Sequence, residues 1–310
     1  MALELIKDKW TNNINEVMLG ADKPIKVGGE NTLPFLFQEG DMPNRPVVAM
    51  EVWDMEPPDW PAHLKAALGD AVKSPVEWAK KAISEFGADL IVLRLQSANP
   101  ETGNASADKV AETLKSVLAA IDVPLIVIGC GDDQKDNDIM PKCCQAAKGK
   151  NCLFGLATED NYKTLTVSCM ADGHSIIAES PIDINIAKQV NILITDMGFD
   201  AKRIVMHPTT ASLGYGMEYV YSIMERARLA ALNGDKMLAM PFILFVGQEV
   251  WRVKEAKEEE PGWGDVAKRG HLWEMTTAIN MLQAGADILV MRHPQAFKDT
   301  KKAIERLMKK

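Results

Sequence analysis

Residues 86–95 read FGADLIVLRL, and residues 284–293 read AGADILVMRH. The two decapeptides are one joint used twice. A glycine, Gly87 or Gly285, stops an amphipathic helix, a short turn follows, and an unbroken apolar run begins. A run without polar alternation belongs to a strand covered on both faces, as in a parallel sheet wrapped by helices. Similar runs occur at 47–54 (VVAMEVWD), 124–130 (PLIVIGC), 152–158 (CLFGLAT), 175–180 (SIIAES), 203–209 (RIVMHPT) and 241–247 (PFILFVG), which makes eight in all. Between them lie helical patterns. Residues 106–121 set Val110, Leu114, Val117 and Leu118 on one stripe. Residues 75–86 open with Ser74 as N-cap and Pro75 at the first helical position. Residues 183–197 and 217–232 carry similar stripes.

Eight β-then-α units predict an α/β protein, a (β/α)8 TIM barrel over residues 46–310, with an N-terminal extension over residues 1–45. The alternative, an open doubly wound sheet, calls for a glycine-rich phosphate turn after the first strand. Glu51-Val52-Trp53-Asp54 stands there instead. In the extension, Val27-Gly28-Gly29 and Leu33-Pro34-Phe35 are expected to form a hairpin that plugs the bottom of the barrel.

The chain has 310 residues, 35 basic against 43 acidic, a net charge of −8, and 47% hydrophobic residues. That balance excludes disordered and collagen-like classes and argues against non-specific nucleic-acid binding, which needs a basic surface. No apolar run reaches the length of a membrane span. The opening MALELIKDKW has no basic segment followed by an apolar one, and five cysteines is an odd number. The expected location is therefore cytoplasmic, with reduced thiols and no membrane.

In a barrel, chemistry sits at the carboxyl ends of the strands. Those ends supply Glu51 and Asp54, Arg94, Gln96 and Asn99, Cys130 and Asp132, and Thr158, Glu159 and Asn161. They continue with Asp183 and Asn185, His207 and Thr209, Leu213-Gly214-Tyr215-Gly216, Gly247-Gln248-Glu249, and Arg292-His293-Pro294. No H-E-x-x-H or C-x-x-C exists, so neither a zinc site nor a cluster site has motif support. His207 and His293 would serve a metal only if they converged. Cys130, between two glycines, is a candidate nucleophile if backbone N–H groups lower its pKa, but no histidine partner is evident. Asp172-Gly173-His174 matches only the first half of a cobalamin-binding D-x-H-x-x-G pattern, at the wrong end of the barrel, and reads as a turn. Residues 254–268 (KEAKEEEPGWGDVAK) form a charge-dense excursion, either a lid or a partner contact. Trp53, Trp60, Trp251 and Trp263 follow strand ends and are expected to be exposed interface anchors.

Five stretches carry a family resemblance: NRPVVAMEVWDMEPPDWP (44–61), SPIDINIAKQVNILI (180–194), SLGYGMEYVYSIMERARLAALNGDKMLAMP (212–241), EEPGWG (259–264) and LVMRHPQA (289–296). Together they resemble the small subunit of the corrinoid iron–sulfur protein of the acetyl-CoA, or Wood–Ljungdahl, pathway. The resemblance implies a heterodimer. The large subunit would carry the [4Fe-4S] cluster and a corrinoid-binding domain, and the corrinoid (cobalamin) would be shared at the interface with the top of this barrel. It further implies that cobalt cycles between Co(I) and methyl-Co(III). The methyl group would come from methyltetrahydrofolate through a separate methyltransferase and pass to acetyl-CoA synthase/CO dehydrogenase.

On this reading the chain is non-catalytic alone, and its rim shields one corrinoid face from water. Gly214, Tyr215 and Gly216 are the first candidates for cofactor contact, because two glycines let backbone approach a flat partner. Asp183, Asn185, Gln248 and Arg292 follow from strand-end placement. No residue is assigned to catalysis or to a metal. The competing readings are a stand-alone pterin-dependent methyltransferase-like barrel enzyme and a pure interaction scaffold. Asp183 and Asn185 sit where a pterin ring could be held, but no full pterin site can be matched.

Overall fold

The computed structural model describes residues 7–309, so the first six residues of the MALELIKDKW stretch and Lys310 lie outside the description. Two short strands, β1 (Val17–Leu19) and β2 (Ile25–Val27), pair antiparallel as a hairpin. Eight strands follow: β3 (Val47–Trp53), β4 (Leu90–Arg94), β5 (Leu125–Ile128), β6 (Leu153–Ala157), β7 (Ser175–Glu179), β8 (Ile204–His207), β9 (Phe242–Leu244) and β10 (Ala286–Met291). All their pairings are parallel, and β10 closes the barrel between β9 and β3.

The helices are α1 (Ala62–Leu68), α2 (Pro75–Ser84), α3 (Ala107–Ala120), α4 (Asp133–Ala146), α5 (Tyr162–Asp172) and α6 (Ile184–Asp196). They continue with α7 (Met217–Leu232), α8 (Val246–Val250), α9 (Lys254–Lys257), α10 (Val266–Gln283) and α11 (Pro294–Leu307).

Local chemistry sets the helix starts. Ser74 Oγ accepts from Glu77 N and Ser106 Oγ from Lys109 N, so each serine satisfies a first-turn donor that has no helical partner. Each apolar run contains a barrel strand. One is much shorter than the sequence suggests: of residues 241–247 only Phe242–Leu244 are extended, and α8 begins at Val246. The early turn seats Gly247 against Arg292 and Glu274, where a Cβ would lie 2.8 Å from Arg292 N and 2.9 Å from Glu274 Oε1.

Strand alternation divides the core in two. Inward residues such as Ala49, Val92, Ile126, Ile177, Val205 and Val290 fill the lumen, while outward ones such as Met50, Ile91 and Val127 pack under the helices. Val17, Leu19 and Val27 belong to the lumen cluster, so the hairpin does plug the bottom of the barrel. The strands that do this are β1 and β2. Leu33-Pro34-Phe35 forms turns beyond the hairpin, with Leu36 N bonded to Leu33 O.

A buried ion cluster ties the extension down. Arg228 on α7 pairs with Glu30 through Nη1, and through Nη2 it reaches Asp287 at 3.1 Å and the Gly285 carbonyl at 2.6 Å. Burial and the neighbouring Glu30 charge push the Asp287 carboxyl up, against the opposing pull of Arg228.

Candidate functional site

Toward the carboxyl ends of the strands the inward positions turn from apolar to polar. Glu51 on β3, Arg94 on β4, Glu179 on β7, His207 on β8 and Arg292 just after β10 make this upper layer. Glu51 is fully buried and accepts four hydrogen bonds. Arg94 Nε donates at 2.6 Å, Trp53 Nε1 at 2.9 Å, and Arg292 Nε and Nη2 at 2.7 and 3.1 Å. Burial alone would raise the Glu51 carboxyl, but the charges and hydrogen bonds of Arg292 and Arg94 outweigh it and hold the group well below the ordinary carboxylate range.

Arg94 Nη2 also donates to Gln248 Oε1. The Arg292 guanidinium lies 4.6 Å from the Trp60 ring and 5.5 Å from Trp53, and Trp60 in turn meets Trp53 and Trp78 edge-on. Trp60 and Trp251 are therefore buried and Trp53 is half-buried, against the expectation of exposed anchors. Of the four, Trp263 alone is exposed, at 38%. An arginine fixed on a carboxylate offers the indole faces a desolvated cation to cover.

Beside this layer, Glu274 of α10 is buried and accepts from Arg292 N (2.6 Å), His293 N (3.1 Å) and Trp251 Nε1 (2.8 Å). Burial raises its pKa to about 7 despite those donors. His293 stacks between Trp251 and His271, and burial pushes it down to about 4. His207 has other partners and does not join His293. Thr210 Oγ1 accepts from Phe245 N and also hydrogen-bonds His207 Nε2 at 3.1 Å, and Nδ1 of the same ring pairs with Glu179 at 3.1 Å. Among the described residues, no three His, Cys, Asp or Glu side chains gather as metal ligands.

All five cysteines are buried and free. Cys130 is not an activated thiol: burial, then the Asp136 charge, pushes it up to about 12. The N–H groups of Cys130 and Gly131 that were expected to lower it donate to Asp136 instead. His174 is buried between Cys152 N and the Cys144 carbonyl, which accounts for Asp172-Gly173-His174 as a turn beneath the barrel.

The rim segment Leu213-Gly214-Tyr215-Gly216 links β8 to α7. Gly214 and Gly216 have φ of +79° and +93°, a conformation that favours glycine, and a Cβ on Gly214 would meet nothing nearer than the Trp273 ring at 4.0 Å. Tyr215 is 48% exposed and its hydroxyl donates to Glu255 at 2.8 Å. Trp273 Nε1 holds the Leu213 carbonyl, and Thr277 Oγ1 accepts from Leu213 N. The excursion between α8 and α10 is strapped down by Arg269, whose guanidinium donates to the carbonyls of Glu255, Glu258, Trp263 and Gly264. Between strap and rim, Leu213, Trp263, Leu272 and Trp273 line an open, largely apolar groove of about 440 Å³.

The other candidates fall into two groups. Asp183 is the N-cap of α6, accepting from Asn185 N and Ile186 N, and the Asn185 side chain is exposed beside it. Gln248 and Arg292 lie inward, bonded to Arg94 and Glu51. Sequence reading placed Glu51 and Arg94 on the rim without choosing them, and it missed Glu179 and Glu274. The available signal for Glu51 and Glu179 was a carboxylate in the inward phase of an apolar strand.

The dihydropteroate synthases share this barrel fold. The synthase of Xanthomonas albilineans aligns with a TM-score of 0.57 at 14% identity, covering 84% of this chain and 92% of that one. The Coxiella burnetii synthase aligns at 0.59 and 11%, covering 94% and 98%. These likenesses define the fold class. Sequence goes further: residues 16–299 match the CO dehydrogenase/acetyl-CoA synthase delta subunit family, and the chain belongs to it. The acetyl-CoA decarbonylase/synthase complex subunit delta of Methanocaldococcus jannaschii is 35% identical over 302 residues, 95% of this chain and 74% of that protein. Subunit delta 1 of Methanosarcina thermophila is 36% identical, covering 92% and 69%.

Proposed function

We propose that this chain is the small, non-catalytic subunit of a corrinoid iron–sulfur methyl carrier, and that its barrel mouth covers one face of a corrinoid held mainly by a larger subunit. When bound, the corrinoid supplies the cobalt that carries the methyl group. The observation that carries the reading is the rim at Gly214-Tyr215-Gly216, in a chain of the delta subunit family. Gly214 leaves open space above the backbone, Gly216 packs against the Tyr219 ring, and the exposed Tyr215 stands between these two left-handed glycines. Such a surface fits a flat, amide-bearing macrocycle, which needs close backbone approach and a few hydrogen-bond partners.

The roles of the chain's own residues follow from their placement. Gly214 admits the flat partner, Tyr215 offers a ring and a hydroxyl, and Asn185 offers an exposed amide. Asp183 keeps the start of α6 in place. Gln248 and Arg292 form the floor beneath, held by Arg94 and Glu51, and the Trp53–Trp60 pair keeps water from that floor. The iron–sulfur cluster fits poorly here, because all five thiols are packed in the core, burial raises Cys130, Cys143 and Cys152, and a hydrogen bond with Cys169, then burial, raises Cys144. We place it on the larger subunit, with methyltetrahydrofolate methyltransferase and acetyl-CoA synthase as the exchange partners.

The test is anaerobic purification of the native complex with assay of iron, cobalt and corrin absorbance. A larger iron-bearing partner, with cobalt lost in the double variant Gly214→Ala, Tyr215→Ala, is the expected result. A colourless barrel that turns over a small molecule alone would overturn the reading in favour of a pterin-type enzyme. Full cobalt retention in the double variant would remove the rim assignment.

A further inference from the structure

The upper layer holds two guanidiniums on one carboxylate. Arg94 and Arg292 are 9% and 5% exposed, and both bind Glu51, which is fully buried. The nearby acids bond other partners. Glu249 is bonded to Arg252 and Gln248, Glu179 to His207, and Asp54 to Ser97. Glu274 faces the Arg292 backbone, and its burial leaves it only partly ionised at neutral pH. Within the triad itself, two guanidiniums share the single Glu51 carboxylate.

The two guanidiniums also keep N–H groups to spare. Arg94 spends Nε and Nη2, and Arg292 spends Nε and Nη2. Among the described residues, Nη1 of each guanidinium has no protein partner, and neither atom is cut off from solvent. Two forks with fixed planes, each keeping one free N–H₂ group, suit a planar or tetrahedral oxyanion better than a lone ammonium would.

We propose that the barrel mouth binds a small oxyanion, a carboxylate or phosphate group, at the Nη1 groups of Arg94 and Arg292. Glu51 is the positioning residue. It fixes both forks from below, Trp53 and Trp60 hold the Arg292 plane, and Gln248 holds the Arg94 plane. The site shares Arg292, Gln248, Arg94 and Glu51 with the floor proposed above, but oxyanion binding is read on the full chain without corrinoid or partner, so its failure is distinct from failure of the methyl-carrier reading.

The test uses the full chain, titrated with inorganic phosphate and separately with acetate. Chloride at matched ionic strength is the control, and binding is read by calorimetry and by the shift in melting temperature. A saturable response to phosphate or acetate beyond that of chloride is expected; which of the two binds more tightly identifies the head group. Arg94→Lys keeps the charge but loses the fork and is expected to bind about tenfold more weakly. Glu51→Gln raises the charge of the site and is expected to bind about tenfold more tightly, a gain that a merely structural role would not produce. Should Glu51→Gln not fold, Arg94→Lys and Arg94→Gln carry the test. No response beyond chloride, or folded variants that bind like the parent chain, overturns the proposal.

Discussion

The barrel buries one ion cluster near each end, and the two are mirror images in charge. At the bottom a single cation, Arg228, lies between two carboxylates, Glu30 and Asp287. At the top a single carboxylate, Glu51, lies between two cations, Arg94 and Arg292. The lower cluster joins three distant parts of the chain: the extension, α7 and the start of β10. It can settle its surplus internally, because a buried Asp287 readily takes a proton. An arginine has no such option, since guanidinium stays charged throughout the accessible pH range. The lower cluster is thus a self-contained staple, while the upper one stays charged toward the mouth.

The sharpest way to break the contrast is Arg228→Met. It leaves Glu30 and Asp287 buried without a counter-charge and is expected to cost about 3–5 kcal/mol in urea unfolding at neutral pH. The loss should shrink in mild acid, where the Asp287 carboxyl, raised by burial, is protonated. An equal loss at both pH values would show that packing, and not charge, holds the extension.

Next in size is a pH effect. The Glu274 carboxyl is raised from 4.5 to about 7, so the folded state favours its neutral form. The stability it contributes is present below pH 4.5 and is lost as pH rises through about 7. Glu51, held low, has the opposite sign: its contribution is present above the ordinary carboxylate pKa and is lost only in strong acid. Glu274→Gln should therefore flatten the fall in stability between pH 4.5 and 7 by on the order of 3 kcal/mol, as measured by melting across that window.

The plug supplies a smaller effect. Leu19→Ala should cost about 2–3 kcal/mol, because a hairpin can settle partly into the space it leaves. Finally, Tyr215→Phe removes an exposed hydrogen bond to Glu255 and should leave the melting temperature unchanged. A clear loss would mean that the rim is part of the scaffold and not a free surface.

Much of the fold was readable because strand and helix periods are local. The eight apolar runs each hold a strand, and Ser74, Ser106 and Asp183 cap the helices they precede. The excess length assigned to the seventh strand is instructive. FVGQEV is apolar enough to extend, yet Gly247 must turn early to clear Arg292, forty-five residues away in the chain. The upper layer was less legible for the same reason. Glu51 meets Arg292 across 241 residues, and only strand phase hinted that its side chain points inward. Trp53, Trp60 and Trp251 misled because an indole after a strand end looks like an anchor until its buried partner, Arg292 or Glu274, is known. Glu274 gave no signal at all, since its three donors come from residues on other elements.

The hairpin plug makes the barrel a cup with one opening. Side chains fill the lumen below, so a ligand on the upper layer and a partner on the rim would use the same door, and the two events would be ordered in time. A small ligand has to arrive before a large partner seats itself on the rim, and it leaves only after that partner lifts. With the base sealed by Val17, Leu19 and Val27, residence time in the cup would be set by the lifetime of the docked complex and not by the ligand's own affinity.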